Sequence, residues 1–244
     1  MDQNPDTDIR TEFAETIHQA FPDDVLVLVM DIQESYLAEV FPRLKARLLQ
    51  LEDTAIRYER DPQGGPGWSA GEGRLPPDSP EEIPDPADLD RPYSYYLFFV
   101  APTAEMFRFG AEDPDDHEEG SLTVGYCVAL SVLAPVAMIA LTHMEEDHFT
   151  HTIPDIVPDD VEDADGRCIG IADFCREKLP EEGIRTLHDL RERIIATLEP
   201  FAVKVIPEEE LKKRVPWLKL PGMGFLGRAQ VDLTVRDAFF FWGF

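Results

Sequence analysis

Residues 121–142 read "SLTVGYCVALSVLAPVAMIALT", a run without one charged side chain in a chain of formal net charge −27. Length alone would let it cross a bilayer, since about 20 apolar residues span one as a helix. The periodicity decides otherwise. Leu122, Val124, Tyr126, Val128, Leu130 and Val132 share one parity, while Thr123, Gly125, Cys127, Ala129 and Ser131 share the other. Successive side chains of a strand point to opposite faces, so the pattern predicts a strand with one bulky and one small face. Pro135 interrupts the backbone hydrogen bonding that a spanning helix would need. The flanks, "HEEG" and "HMEED", hold no Lys or Arg to set an orientation in a membrane. The reading is a central strand over 121–133, a turn at "AP", and a second strand over 136–142.

Working outward, "YSYYLFFVAP" (93–102) predicts an aromatic strand and "FAVKVI" (201–206) another. Ile9, Phe13 and Ile17 recur at four-residue steps within 7–20, a short amphipathic helix. "VLVLVM" (25–30) fits a strand or a buried helical turn. From Ile32 to about Tyr58 the spacing of Leu44, Leu48, Leu51 and Ala55 is helical, and Pro42 is expected to divide the stretch into two helices. Thr186 and Asp189 have capping-box spacing ahead of the stripe Leu187, Leu190, Ile194 and Leu198. "PEEELKKR" (207–214) reads as a short helix. The fold class expected is α+β, with a central, mainly antiparallel sheet and helices at the N- and C-terminal ends. Residues 1–60 form the N-terminal helical part of a single domain and 91–244 its α+β core. Between them, 61–90 holds seven Pro, five Gly and eight acids, a long loop or linker.

Composition limits the function classes. A hydrophobic content of 43% with 15 Phe excludes a wholly disordered chain. The start, "MDQNPDTDIR", is polar and unlike a signal peptide. Cys127, Cys168 and Cys175 are odd in number and lack CxxC spacing, which fits a reducing cytoplasm rather than a disulfide framework or thiolate zinc site. Forty-nine acids against 22 basic residues would repel nucleic acid and anionic lipid. Residues 201–244 are net +2, so 1–200 carry −29. Such an excess serves solubility, high-salt adaptation or a basic partner.

The motifs with chemical meaning lack their contexts. "GMGFLG" (222–227) matches GxGxxG, but no βαβ unit fits in the residues that follow. His143, His148 and His151 stand with Glu145, Glu146 and Asp147 in "HMEEDHFTHT", side chains that suit zinc or iron. The preceding strand and Pro154 argue against the helix that would gather them, leaving a solvated loop and no metal site. In "DDVEDADG" (159–166), alignment of Asp163, Asp165 and Gly166 to a calcium loop puts Val161 and Ala172 where carboxylates are needed, so an EF-hand is rejected. Cys127 falls on the small face of a strand, where packing explains it. Neither Cys168 nor Cys175 has a neighbouring His, and no GxSxG occurs. "TVRDAFFFWGF" (234–244) places a capping box, Thr234 and Asp237, before an aromatic cluster that plugs a core or anchors a partner.

With no catalytic residues, metal or cofactor assigned, the reading is a non-enzymatic acidic protein of the cytoplasm that recognises a basic protein partner, such as an immunity or antitoxin-type inhibitor. The residues expected to bind it are Glu112, Asp113, Asp115, Asp116, Glu118 and Glu119, with Asp159, Asp160, Glu162 and Asp163. Nucleic acid and membrane are not expected partners. The alternatives are a metal-dependent hydrolase using His143, His148 and His151, and an assembly subunit docking through the aromatic C-terminus.

Overall fold

A computed structural model describes residues 11–25, 36–59, 95–110, 121–146, 151–152, 160–162, 168–219 and 233–240. Its centre is a mixed, mostly antiparallel sheet. The strands are β1 (Thr54–Glu59), β2 (Tyr95–Pro102), β3 (Arg108–Phe109), β4 (Ser121–Ser131), β5 (Val136–Glu146) and β6 (His151–Thr152). A two-stranded ribbon of β7 (Asp160–Glu162) and β8 (Cys168–Gly170) follows, and β9 (Lys204–Val205) returns to the sheet. The order is β1-β2-β4-β5-β6, with β3 beside β4 and β9 in parallel beside β5. The helices are α1 (Ala14–Ala20), α2 (Tyr36–Leu49), α3 (Ile171–Lys178), α4 (Glu181–Leu198), α5 (Glu208–Leu211) and α6 (Val235–Phe239). The molecule is α+β, although α3 and α4 lie between strands in the chain rather than strictly at its end.

The charge-free run is the antiparallel β4–β5 pair, joined through 132–135. Val128 sits between Phe98 and Ile139, and Tyr126 between Val100 and Leu141. The alternation of large and small residues has a packing cause. On the small face, Cys127 opposes Phe99 and Ala129 opposes Leu97, so the bulk missing from β4 is supplied by β2. At Gly125 the space is gone: a Cβ there would lie 2.6 Å from the Val100 carbonyl oxygen and 2.8 Å from the Phe99 ring. Both faces of β2 are buried along its whole length, so an unbroken aromatic run replaces the polar alternation of a half-exposed strand.

Helices α3 and α4 lie on the Tyr126 face, where Cys175 of α3 and Arg191 and Glu192 of α4 act electrostatically on the tyrosine. α4 buries the expected stripe, Leu187, Leu190, Ile194 and Leu198, and α2 packs against it. At the other side, the chain's two ends are fastened together. Phe13 meets Phe239 edge-on with centroids 6.4 Å apart, and Phe240 meets Tyr95 at 6.1 Å. Thr11 Oγ1 donates to Glu210 at 2.9 Å, Lys204 pairs with Glu12 at 3.1 Å, and His18 stacks on Trp217 at 3.8 Å. The Thr234–Asp237 capping box forms as expected. Phe239 and Phe240 are buried, so this part of the aromatic cluster plugs the core.

Four expectations need correction. Pro42 does not divide its helix; α2 runs through it. A helical proline costs about 3 kcal/mol, and the full burial of Leu44 and Leu48 on the same helix offsets that loss. The helix also ends at Leu49 rather than continuing to Tyr58. Asp53 turns left-handed at φ 55°, Thr54 Oγ1 donates to Leu51 O, and 54–59 become β1 against β2. α4 begins at Glu181, five residues before Thr186, whose hydroxyl donates back to Glu182 O rather than capping. Its start has a local cause: Pro180 is extended at the N-cap, and Glu181 and Glu182 place acids in the first turn, where the helix dipole favours them. Finally, the strand expected over 201–206 shrinks to Lys204–Val205, because Glu199–Phe201 form a 3-10 turn ended by Ala202 at φ 57°. The stretches 26–30, 61–90 and 222–227, each given a reading above, lie outside the described residues.

Candidate partner-binding surface

The segments read as partner-binding are rooted at one end of the sheet. β3 pairs with β4, Arg108 opposite Thr123 and Phe109 opposite Leu122, so 111–120 leaves at Gly110 and returns at Ser121. Gly110 has φ 90°, a backbone conformation that suits glycine and few other residues. Across the β4–β5 ladder, Ser121 lies opposite Glu146 and Leu122 opposite Glu145. Those two glutamates are opposite His151 and Thr152 of β6, which places the root of 147–150 next to that of 111–120. The third acidic stretch is held nearby through α3, whose Phe174 meets Phe109 edge-on at 5.0 Å. α3 also packs on β7 and β8, and there Asp160 lies opposite Gly170 and Glu162 opposite Cys168.

Between Arg108 and Arg167 the sequence has fifteen Asp and Glu and no Lys or Arg. At the margin of this stretch, Arg108 Nη2 donates to Ser121 Oγ at 3.5 Å, and Arg176 of α3 is engaged by Asp173. Of the residues expected to bind a partner, Asp160 and Glu162 belong to β7. Glu112, Asp113, Asp115, Asp116, Glu118, Glu119, Asp159 and Asp163 lie outside the described residues, although the strands carrying their segments do not. Sequence reasoning missed that Glu145 and Glu146 share this end, having taken them only with the histidine cluster. The signal was available in the "AP" turn, since a hairpin turn fixes which residues oppose one another.

The solvated loop expected from His143 onward needs correction: β5 runs on to Glu146 because 143–146 pair with 121–124 of β4, so the histidine cluster is spread over two strands. His143 lies in β5, buried at 2% exposure opposite Val124, whereas His151 lies in β6. His148 falls outside the described residues. Among the described residues no three His, Cys, Asp or Glu are grouped to hold a metal ion. On the helix-covered face, burial pushes the Tyr126 hydroxyl up to about 12, opposed by the Arg191 charge and reinforced by Cys175 and Glu192. Burial likewise pushes the Cys175 thiol up to about 11. A thiol so shifted is protonated at neutral pH and inert as a nucleophile. Cys127 is buried on the small face, as its parity predicts. At the fastened ends, the Lys213 hydrogen bond chiefly, with further help from Thr11, lowers the Glu210 carboxyl.

No described helix is long and apolar enough to cross a membrane. No family model matches this chain, and neither a curated protein nor a solved structure does.

Proposed function

We propose that the chain is a non-enzymatic binding protein that captures a basic protein at the acidic end of its sheet, in the manner of an immunity or antitoxin-type inhibitor. The observation that carries this reading is the rooting of the acidic segments at one end of the fold, in a stretch with fifteen acids and no Lys or Arg. Like charges held together repel one another, and a cationic partner relieves that repulsion. Complementary fields raise the rate of encounter more than they lengthen residence. The same field disfavours nucleic acid and anionic membrane as partners. Three free cysteines, one of them exposed, suit a reducing cytoplasm.

Affinity capture from the source cell tests the reading. The immobilised chain is expected to retain a basic protein at low salt. A variant with Glu112, Asp113, Asp115, Asp116, Glu118 and Glu119 changed to their amides is expected to lose it. Equal capture by both chains, or capture of acidic proteins only, would remove the acidic end from function.

A further inference from the structure

Among the described residues only two large apolar side chains are exposed, Met106 at 38% and Ile184 at 37%. Elements far apart in the chain bring them to one place. Met106 stands on the 3-10 turn Glu105–Phe107, between β2 and β3, and Ile184 stands near the start of α4. A Cβ on Gly183 would come within 3.4 Å of the Met106 sulfur, so the thioether rests against the α4 turn that carries Ile184. Burial at this corner is carried by Phe107, Leu179 and Leu187, not by this pair. Single exposed apolar residues are ordinary on a protein surface. Two from separate elements, met at one point and rimmed by charge, have the composition of an interface centre, where Met is enriched and charge depleted.

The position of the pair indicates what covers it. β3 follows Met106, and 111–120 leaves the fold at Gly110, so the patch adjoins the root of the acidic segments. Its own rim holds exposed acids, Glu105 before Met106 and Glu181 and Glu182 before Ile184. Of the bases beside it, Arg108 is turned to Ser121 and Arg185 follows Ile184. We propose that Met106 and Ile184 form the apolar anchor site of the interface, taking an aromatic or aliphatic side chain that the basic partner carries between lysines or arginines. This rests on the acidic-end reading above and adds where the affinity resides. Charge speeds the encounter, and a desolvated apolar contact lengthens residence. The flexible thioether of Met106 adapts to the side chain it meets. A second copy of this chain, at a formal net charge of −27, is repelled from the same place.

Short lysine peptides of equal charge, one with phenylalanine at its centre and one with serine there, test this on the full chain. In titration calorimetry the Phe peptide is expected to bind about tenfold more tightly than the Ser peptide. In the double variant Met106→Ala, Ile184→Ala that advantage should vanish. With the six acids of 112–119 changed to amides, both peptides should weaken while the advantage remains. Limited peroxide treatment of the free chain should oxidise Met106 ahead of the buried Met138 and Met144. At equal occupancy the Phe peptide should slow that oxidation more than the Ser peptide does. No advantage on the wild-type chain, or an advantage that survives in the alanine variant, overturns the anchor and leaves charge-driven capture standing. Affinities unchanged by the amide variant overturn the acidic-end reading itself, and an uncharged Phe peptide that binds as tightly overturns the basic occupant. Slow oxidation of Met106 in the free chain assigns the patch to another segment of this chain, and slowing that grows with protein concentration assigns it to a second copy; either overturns the proposal.

Discussion

From Ser121 to Thr142 the β4–β5 pair holds no charged residue, while the sequence flanking it, back to Arg108 and on to Arg167, holds fifteen acids and no Lys or Arg. The middle of the first region is closed on both faces: Val128, Ala129 and Leu130 in β4 and Ala137 in β5 are wholly buried. The second is attached to it through the short strands β3 and β6 and, for β7, through α3. On the proposed reading, stability and recognition fall on different residues, joined by the register that sets Ser121 opposite Glu146 and by the contact of Phe109 with Phe174. A substitution in the hairpin should change folding and leave charge-driven encounter alone. A substitution among the acids should do the reverse.

The largest effect is expected at Gly125. In Gly125→Ala the new Cβ would press on the Val100 carbonyl, the Ala101 Cβ and the Phe99 ring together, and the backbone neighbour cannot swing aside. Overpacking of this kind costs about 1–3 kcal/mol, and this site belongs near the upper end. Urea denaturation should show a lower midpoint; an unchanged midpoint would mean that the small face of β4 has slack.

Raising the pH should weaken the same hairpin. Below pH 10 Tyr126 is neutral folded and unfolded alike. As pH rises from 10 towards 12 the unfolded chain loses the proton while the folded chain holds it, since burial has raised the folded value to about 12. Stability from this group is full below pH 10 and is lost on the way up, by an amount on the order of 2 kcal/mol. Tyr126→Phe should flatten that part of a stability-against-pH curve. The Cys175 thiol, raised to about 11, would still contribute its own decline from pH 9 upward.

Thr234→Ala should cost less, about 1 kcal/mol, because it removes the hydroxyl that accepts from Asp237 N at the head of α6. Thermal unfolding would register the change. A loss far beyond about 2 kcal/mol would show that α6, with Phe239 and Phe240, controls more of the core than its cap alone.

How much of this was legible depends on whether a signal is local. Parity in β4 is local: each residue's face follows from its neighbours, and the strand, its partner and the packing role of Cys127 could all be read. The aromatic run of β2 and the α6 capping box were legible for the same reason. The ends of helices were not. Leu51 and Ala55 continue the spacing of Leu44 and Leu48, yet pairing with β2 claims 54–59 for a strand. Thr186 has the right spacing for a cap, but Pro180 followed by Glu181 and Glu182 starts α4 five residues earlier. Tertiary pairing decided the first case and a competing local signal the second. At the candidate surface, composition gave the acids, whereas their common root depends on strand register across 121–146 and on Phe109 meeting Phe174, which no local pattern encodes.

Neutralising the six acids of 112–119 is expected to alter stability least of all, and its decisive effect is kinetic. The direct measurement is stopped-flow association of the captured basic partner with the wild-type chain and with this amide variant, across a salt series. The wild-type on-rate should be the faster at low salt and should fall steeply as screening shortens the reach of the field to about 8 Å near physiological ionic strength. The variant should start slower and depend less on salt, with dissociation rates changed little in either chain. On-rates that coincide at every salt concentration would contradict the assignment of recognition to the acidic end.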